Sequence, residues 1–147
     1  MKIYIGADHN GFDLKQTLTE ELTRAGYTVV DDGSERNPED DFPIIAAKVI
    51  ASMKASDDND ARGILICGSG QGMCMAANRY KGIRSSLVWS VEEARASRND
   101  DDSNVLCLPA RYVNAADALR LAEAWLSTAF AGAPRYKRRI KELDQMG

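Results

Sequence analysis

Along this chain short runs of β-branched and aliphatic residues take turns with longer stretches of helical periodicity, and that alternation restricts the fold more than any other feature. IYIG, Ile3 to Gly6, reads as a first strand. From Gly11 to Ala25 the apolar residues Phe12, Leu14, Leu18 and Leu22 recur near one helical face, and Gly26 supplies a helix stop. YTVVD, Tyr27 to Asp31, is a second strand, followed by the polar loop DGSERNPEDD. Helical spacing returns from Phe42 to Met53, with Pro43 tolerated in a first turn. GILIC, Gly63 to Cys67, is apolar throughout, as expected of a strand covered on both faces. The pattern then predicts helices over about 72–78 and 91–98 and strands over 84–88 and 105–108. Two helices close the chain, Ala115 to Ala129 and, after AGAP, Arg135 to Leu143.

Strands that alternate with helices predict an α/β fold, a parallel five-stranded sheet with helices on both faces. The flavodoxin-like order 2-1-3-4-5 is the expectation for five such strands, and it puts a ligand crevice between the carboxyl ends of the first and third. The 147 residues show no internal repeat and no linker, so they read as one domain, 1–147. A 44% apolar and 28% charged composition argues against disorder. No apolar stretch approaches the roughly 20 residues of a membrane span. MKIYIGADHN enters a strand at once without the apolar core of a signal peptide, so a cytoplasmic location is expected.

The two strand ends that would meet carry chemistry. The first ends in Gly6-Ala7-Asp8-His9, with the chain's only histidine, and the third in Cys67-Gly68-Ser69-Gly70. Glycines 68, 70 and 72 leave the backbone uncrowded, so that several N–H groups can converge on a phosphate or on a developing enolate oxygen. A thiolate at Cys67 would be favoured by the same partial charges and could attack a substrate or take a proton. Each residue also has a plainer reading: Cys67 as strand packing, Asp8 as a cap of the helix that follows. No GK[ST] follows the glycines, which excludes a P-loop, and their GxGxG spacing in the third strand's turn is a poor dinucleotide fingerprint.

The three cysteines, Cys67, Cys74 and Cys107, do not make a disulfide framework, and with one histidine and no CxxC pair they do not make a zinc site. Cys74 and Cys107 are expected to lack partners that would make them reactive. A net charge of −3 predicts no general attraction to nucleic acid. The local exception, RYKRRIK from Arg135 to Lys141, has five positive side chains in seven positions. Arg135 and Arg139, four apart on a helix, face one side and could clamp one dianion. The acidic NDDDSN, Asn99 to Asn104, lacks the glycine and distal glutamate of a calcium loop.

GADHNGFDLK after the first strand, GILICGSGQGMCMAANR at the third, GIRSSLVWS at the fourth and SRNDDDSNVL before the fifth together resemble the ribose-5-phosphate isomerase type B and galactose-6-phosphate isomerase family, over Met1 to about Ile140. The resemblance implies a Rossmann-like three-layer α/β/α sandwich, dimers or tetramers with active sites between two subunits, and aldose–ketose isomerisation of a sugar phosphate with no metal and no cofactor. It assigns Cys67 as the base that moves a proton between C1 and C2; Met73 stands where other members have a glutamate base. Ser69 handles protons on the oxygens, and the backbone from Gly70 to Cys74 holds the cis-enediolate, with Gly68, Gly70, Gly72 and Met73 as substrate-binding positions. Asp8 and His9 match a pair that contacts the sugar, helps to open its ring or holds its phosphate. Arg111, Arg135 and Arg139 match phosphate-binding arginines, the C-terminal helix (about 135–146) reaching a neighbouring subunit.

Four positions depart from that pattern. Asp100 replaces a histidine credited with ring opening, Asp101 an asparagine that contacts substrate, Phe42 a tyrosine and Tyr136 a histidine. Asp100 or Asp8 is therefore expected to open the ring, an aspartate being able to do so if its neighbours raise its pKa, unless the sugar reacts from its open form. The leading expectation is ribose 5-phosphate to ribulose 5-phosphate. A different pentose phosphate or a hexose 6-phosphate, or a phosphosugar-binding protein without catalysis, are the alternatives.

Overall fold

The computed structural model describes residues 1–33 and 35–147; Ser34, inside the polar loop expected after the second strand, lies outside the described residues. The elements run β1 (Lys2–Ala7), α1 (Phe12–Arg24), β2 (Thr28–Asp31), α2 (Phe42–Lys54), β3 (Arg62–Cys67), α3 (Gln71–Ala77), β4 (Ser85–Leu87), α4 (Val91–Asn99), β5 (Val105–Pro109), α5 (Ala115–Ser127) and α6 (Pro134–Asp144). Every expected element forms within a few residues of its expected ends. All strand pairs are parallel.

The strand order is β2-β1-β3-β5-β4, which corrects the expected 2-1-3-4-5 at its last two positions. Composition accounts for the exchange. β5, VLCLP, is buried along its whole length and fits between neighbours, whereas β4 is three half-buried residues, SSL. A short, polar strand suits an edge, where one row of backbone groups faces outward. The swap sets the carboxyl end of β5 directly beside that of β3: Cys67 pairs with Pro109, and Ala110 and Arg111 donate their N–H groups to the carbonyls of Cys67 and Gly68 at 2.9 and 3.0 Å.

The helices divide between the faces. Leu18 and Leu22 of α1, Ala94 of α4 and Leu121, Ala122 and Trp125 of α5 pack against one face with Ile3, Ile5, Ile64, Ile66 and Leu106. Ile45, Val49 and Ile50 of α2 and Met73 and Ala77 of α3 cover the other, with Tyr4, Leu65 and Cys107. Three layers result, as the alternation predicts. α6 stands apart, since it buries none of its residues. No helix is long and apolar enough to cross a membrane among the described residues.

Candidate active site

The crevice lies where β1 and β3 end side by side, joined by the Asp8 N–H to the Ile66 carbonyl at 3.1 Å. Cys67 closes β3 with 5% of its surface exposed, and its side chain belongs to the core layer that also holds Met73 and Cys107. The chain then turns through Gly68, Ser69 and Gly70. Gly70 caps α3 at a φ of +76°, a conformation that L side chains rarely adopt; a Cβ there would also lie 2.5 Å from Leu87. The first bond of α3 runs from the Cys74 N–H to the Gly70 carbonyl. Cys74 is therefore removed from the expected cradle, while the amides of Gly72 and Met73 precede that bond and have no partner within the helix. Met73 can contribute only this backbone group, because its side chain is 0% exposed. The ring of Phe42 lies over Gly72, 2.8 Å from where a Cβ would stand.

Arg111 is brought to the turn by the corrected strand order. Its guanidinium carbon sits 2.9 Å from the position of a Cβ on Gly68, so a side chain there would push the guanidinium off the turn. It is exposed, and its guanidinium has no hydrogen bond or ion pair among the described residues. An unpaired guanidinium against a glycine turn is suited to an anionic ligand.

Asp8 is buried, and its Oδ1 accepts from the N–H groups of Asn10 at 2.9 Å and Gly11 at 3.3 Å. The plainer expectation for it is not met: α1 begins at Phe12 with Gly11 as its N-cap and no side-chain capping bond, and Asp8 holds the turn that precedes the helix. His9 is held by a residue that no sequence motif marks. Asp40 Oδ1 accepts from the His9 backbone N–H at 3.0 Å and stands 2.7 Å from Nδ1, while Nε2 lies 3.3 Å from Asn10 Nδ2. Ser69 is half-buried beside the thiol, and its Oγ accepts from the Gln71 N–H at 3.4 Å.

Asp100, Asp101, Arg135 and Arg139 are not at this end of the molecule. The loop carrying the aspartates precedes β5, and the Asn104 carbonyl accepts from Gly63 near the start of β3, four residues and roughly 13 Å from Cys67. The loop is anchored by Arg98, whose Nη1 donates to Asp102 at 2.7 Å and to the Ser103 carbonyl at 2.5 Å, and by Trp125 Nε1 to Ser103 Oγ at 2.7 Å. Asp102 adopts a φ of +49° there. The carboxyl whose pKa rises is Asp101, through burial first and then the Asp100 charge, with Arg139 opposing. Arg139 thus lies near this loop, and α6 is fastened to the same end by Asp144 with Arg84 at 3.6 Å. Arg135 is exposed and rests on its neighbour Tyr136, donating to its hydroxyl at 3.0 Å.

The expectation that Cys74 and Cys107 have no activating partners is overturned. Cys107 is fully buried, which keeps its proton on; its Sγ lies 3.0 Å from Ser85 Oγ, and the Cys74 thiol donates to the Ser85 carbonyl at 3.4 Å. Cys74 is pushed down to about 6 by the neighbouring Cys107 thiol and, further, by Ser85, against the opposing effect of burial. The contact joins α3 to β5 across an exchange of strand order that the sequence pattern does not reveal. Among the described residues no group of three or more histidine, cysteine, aspartate or glutamate side chains is placed to hold a metal ion.

The family described as Ribose/Galactose Isomerase matches residues 3–143. The chain is 39% identical to a probable ribose-5-phosphate isomerase B of Mycoplasma genitalium over 96% of this chain and 92% of the relative. It is 36% identical to the ribose-5-phosphate isomerase B of Mycolicibacterium paratuberculosis over 99% and 91%. Among solved structures, ribose 5-phosphate isomerase of Thermotoga maritima superposes with a TM-score of 0.93 at 39% identity, covering 99% of this chain and 98% of that one. The Mycoplasma genitalium enzyme with bound ribulose 5-phosphate superposes with a TM-score of 0.91 at 38% identity, covering 98% and 94%.

Proposed function

Because this chain belongs to the ribose/galactose isomerase family, we propose that it is an aldose–ketose isomerase interconverting ribose 5-phosphate and ribulose 5-phosphate. The observation that carries this reading is the convergence of Cys67, Ser69, His9 and the unpaired Arg111 on one glycine turn between β1 and β3. Cys67 takes the proton from the carbon beside the carbonyl and returns it to the neighbouring carbon. Ser69 relays protons between O1 and O2. The amides of Gly70, Gly72 and Met73 lie where the enediolate oxygens develop charge, a term that can reach several kcal/mol. Arg111 takes the phosphate end, whose binding energy orients the reacting carbons, and His9 faces the sugar.

The working unit is two copies of the chain. Within one copy Asp100, Asp101, Arg135 and Arg139 lie at the opposite pole from Cys67, on a loop and a helix that buries nothing. A second copy presenting that pole to the glycine turn completes the site, with Arg135 and Arg139 closing on the phosphate. The experiment is a coupled assay over five- and six-carbon aldose phosphates, with and without a chelator. Turnover of ribose 5-phosphate unaffected by chelation is expected. A preference for a hexose 6-phosphate would transfer the reading to that substrate, binding without turnover would leave a phosphosugar-binding protein, and a metal requirement would remove the cysteine mechanism.

A further inference from the structure

The polar loop between β2 and α2 sends one side chain into the site, and its geometry is specific. Asp40, with 10% of its side chain exposed, uses a single oxygen, Oδ1, for both the backbone N–H of His9 at 3.0 Å and its Nδ1 at 2.7 Å. A carboxylate can only accept. Nδ1 must therefore carry a hydrogen, and a neutral imidazole so held has its lone pair at Nε2. Nε2 is the ring atom left facing outward, with Asn10 Nδ2 at 3.3 Å as its neighbour. The backbone N–H adds a constraint that a side-chain contact alone lacks. It comes from a fixed donor, so it fixes which carboxyl oxygen meets the ring and denies the imidazole a rotation that would exchange its two nitrogens.

We infer that Asp40 is a positioning residue, which holds His9 as the Nδ1–H tautomer so that Nε2 serves as the proton-accepting atom toward the cyclic sugar. This rests on the isomerase reading above. In the step concerned, Nε2 takes the proton of the anomeric hydroxyl as the C1–O1 double bond forms. The bond from C1 to the ring oxygen breaks, and that oxygen receives the proton back from the imidazolium. Asp40 faces the positive ring during the interval.

His9 is the chain's only histidine, so its ring nitrogens can be read without assignment in a long-range proton–nitrogen spectrum of the free protein. The wild type is expected to show hydrogen on Nδ1 at a pH where the ring is neutral. Asp40→Ala is expected to lose that preference and to lower kcat for ribose 5-phosphate by about tenfold or more with KM nearly unchanged. Asp40→Asn keeps an oxygen that the His9 N–H orients, so it should retain the tautomer and lose only about threefold in kcat, the share owed to charge. Retention of Nδ1–H in Asp40→Ala, loss of it with kcat within about twofold of wild type, or an Asp40→Asn defect as deep as that of Asp40→Ala would each overturn the assignment. Should Asp40→Ala fail to fold, Asp40→Asn decides alone: unchanged kcat, or a lost tautomer, overturns it. A wild type inactive on every sugar phosphate would sink the isomerase reading instead, and the tautomer measurement would still judge Asp40.

Discussion

The two poles of the sheet are built in opposite ways. At the carboxyl end, Cys67, Asp8 and the glycine turn are continuous with the core: the thiol is nearly enclosed, the carboxylate is occupied by amides, and Arg111 is seated against Gly68 by the pairing of β5 with β3. At the amino end, Asp100 and Asp101 stand on an anchored loop beside a helix that buries none of its own residues. A helix with seven charged residues in eleven that buries none of them gains little from its own chain, and its stability is drawn from packing elsewhere. The contrast teaches that one pole is finished within a single chain, whereas the proposed function asks a second copy to cover the other.

The sharpest way to break this comparison is to remove the base from the finished half. Cys67→Ala should lower exchange of the substrate C2 hydrogen with solvent by at least about a thousandfold while phosphate-end binding persists. Retained exchange would move the base elsewhere. A smaller effect is expected from the arm. Arg135→Ala with Arg139→Ala removes two charge-assisted contacts and should lower kcat/KM by about a hundredfold, chiefly through KM, leaving the fold intact because neither side chain is buried. A change in kcat alone would place those arginines near the reacting carbons rather than the phosphate.

How far these poles are legible in the sequence differs for physical reasons. The elements follow from apolar periodicity, and the meeting of Asp8 with Cys67 follows from the reversal of order at β1 and β3, which the corrected topology retains. The exchange of β4 and β5 does not follow from the alternation, which is blind to neighbours; the contrast of SSL with VLCLP was the available cue. That exchange is also what brings Cys107 to Cys74 and Arg111 to Gly68. Asp40 escapes sequence reading altogether, because its contact with His9 spans 31 positions and one acidic residue in a polar loop looks like another.

The smallest expected effect concerns the loop of the arm. Burial and the Asp100 charge raise the Asp101 carboxyl, with Arg139 opposing, so the folded state holds this proton more tightly than the unfolded chain. The sign follows: the contribution is favourable below the ordinary carboxylate range and is lost as pH climbs through the raised value. Asp101→Asn should leave thermal stability unchanged in acid and raise Tm by roughly 1–2 °C at neutral pH. A gain confined to acid would reverse that sign.

The division of one site between two copies is tested most directly by mixing Cys67→Ala with the Arg135→Ala, Arg139→Ala double variant under conditions that allow subunits to exchange, and assaying at ribose 5-phosphate well below the wild-type KM, where both parents are nearly inactive. Each mixed pair then contains one site free of both defects, and random exchange should restore about a quarter of wild-type activity. Activity that stays at the sum of the two parents, although both are folded and exchange is demonstrated, would contradict the account.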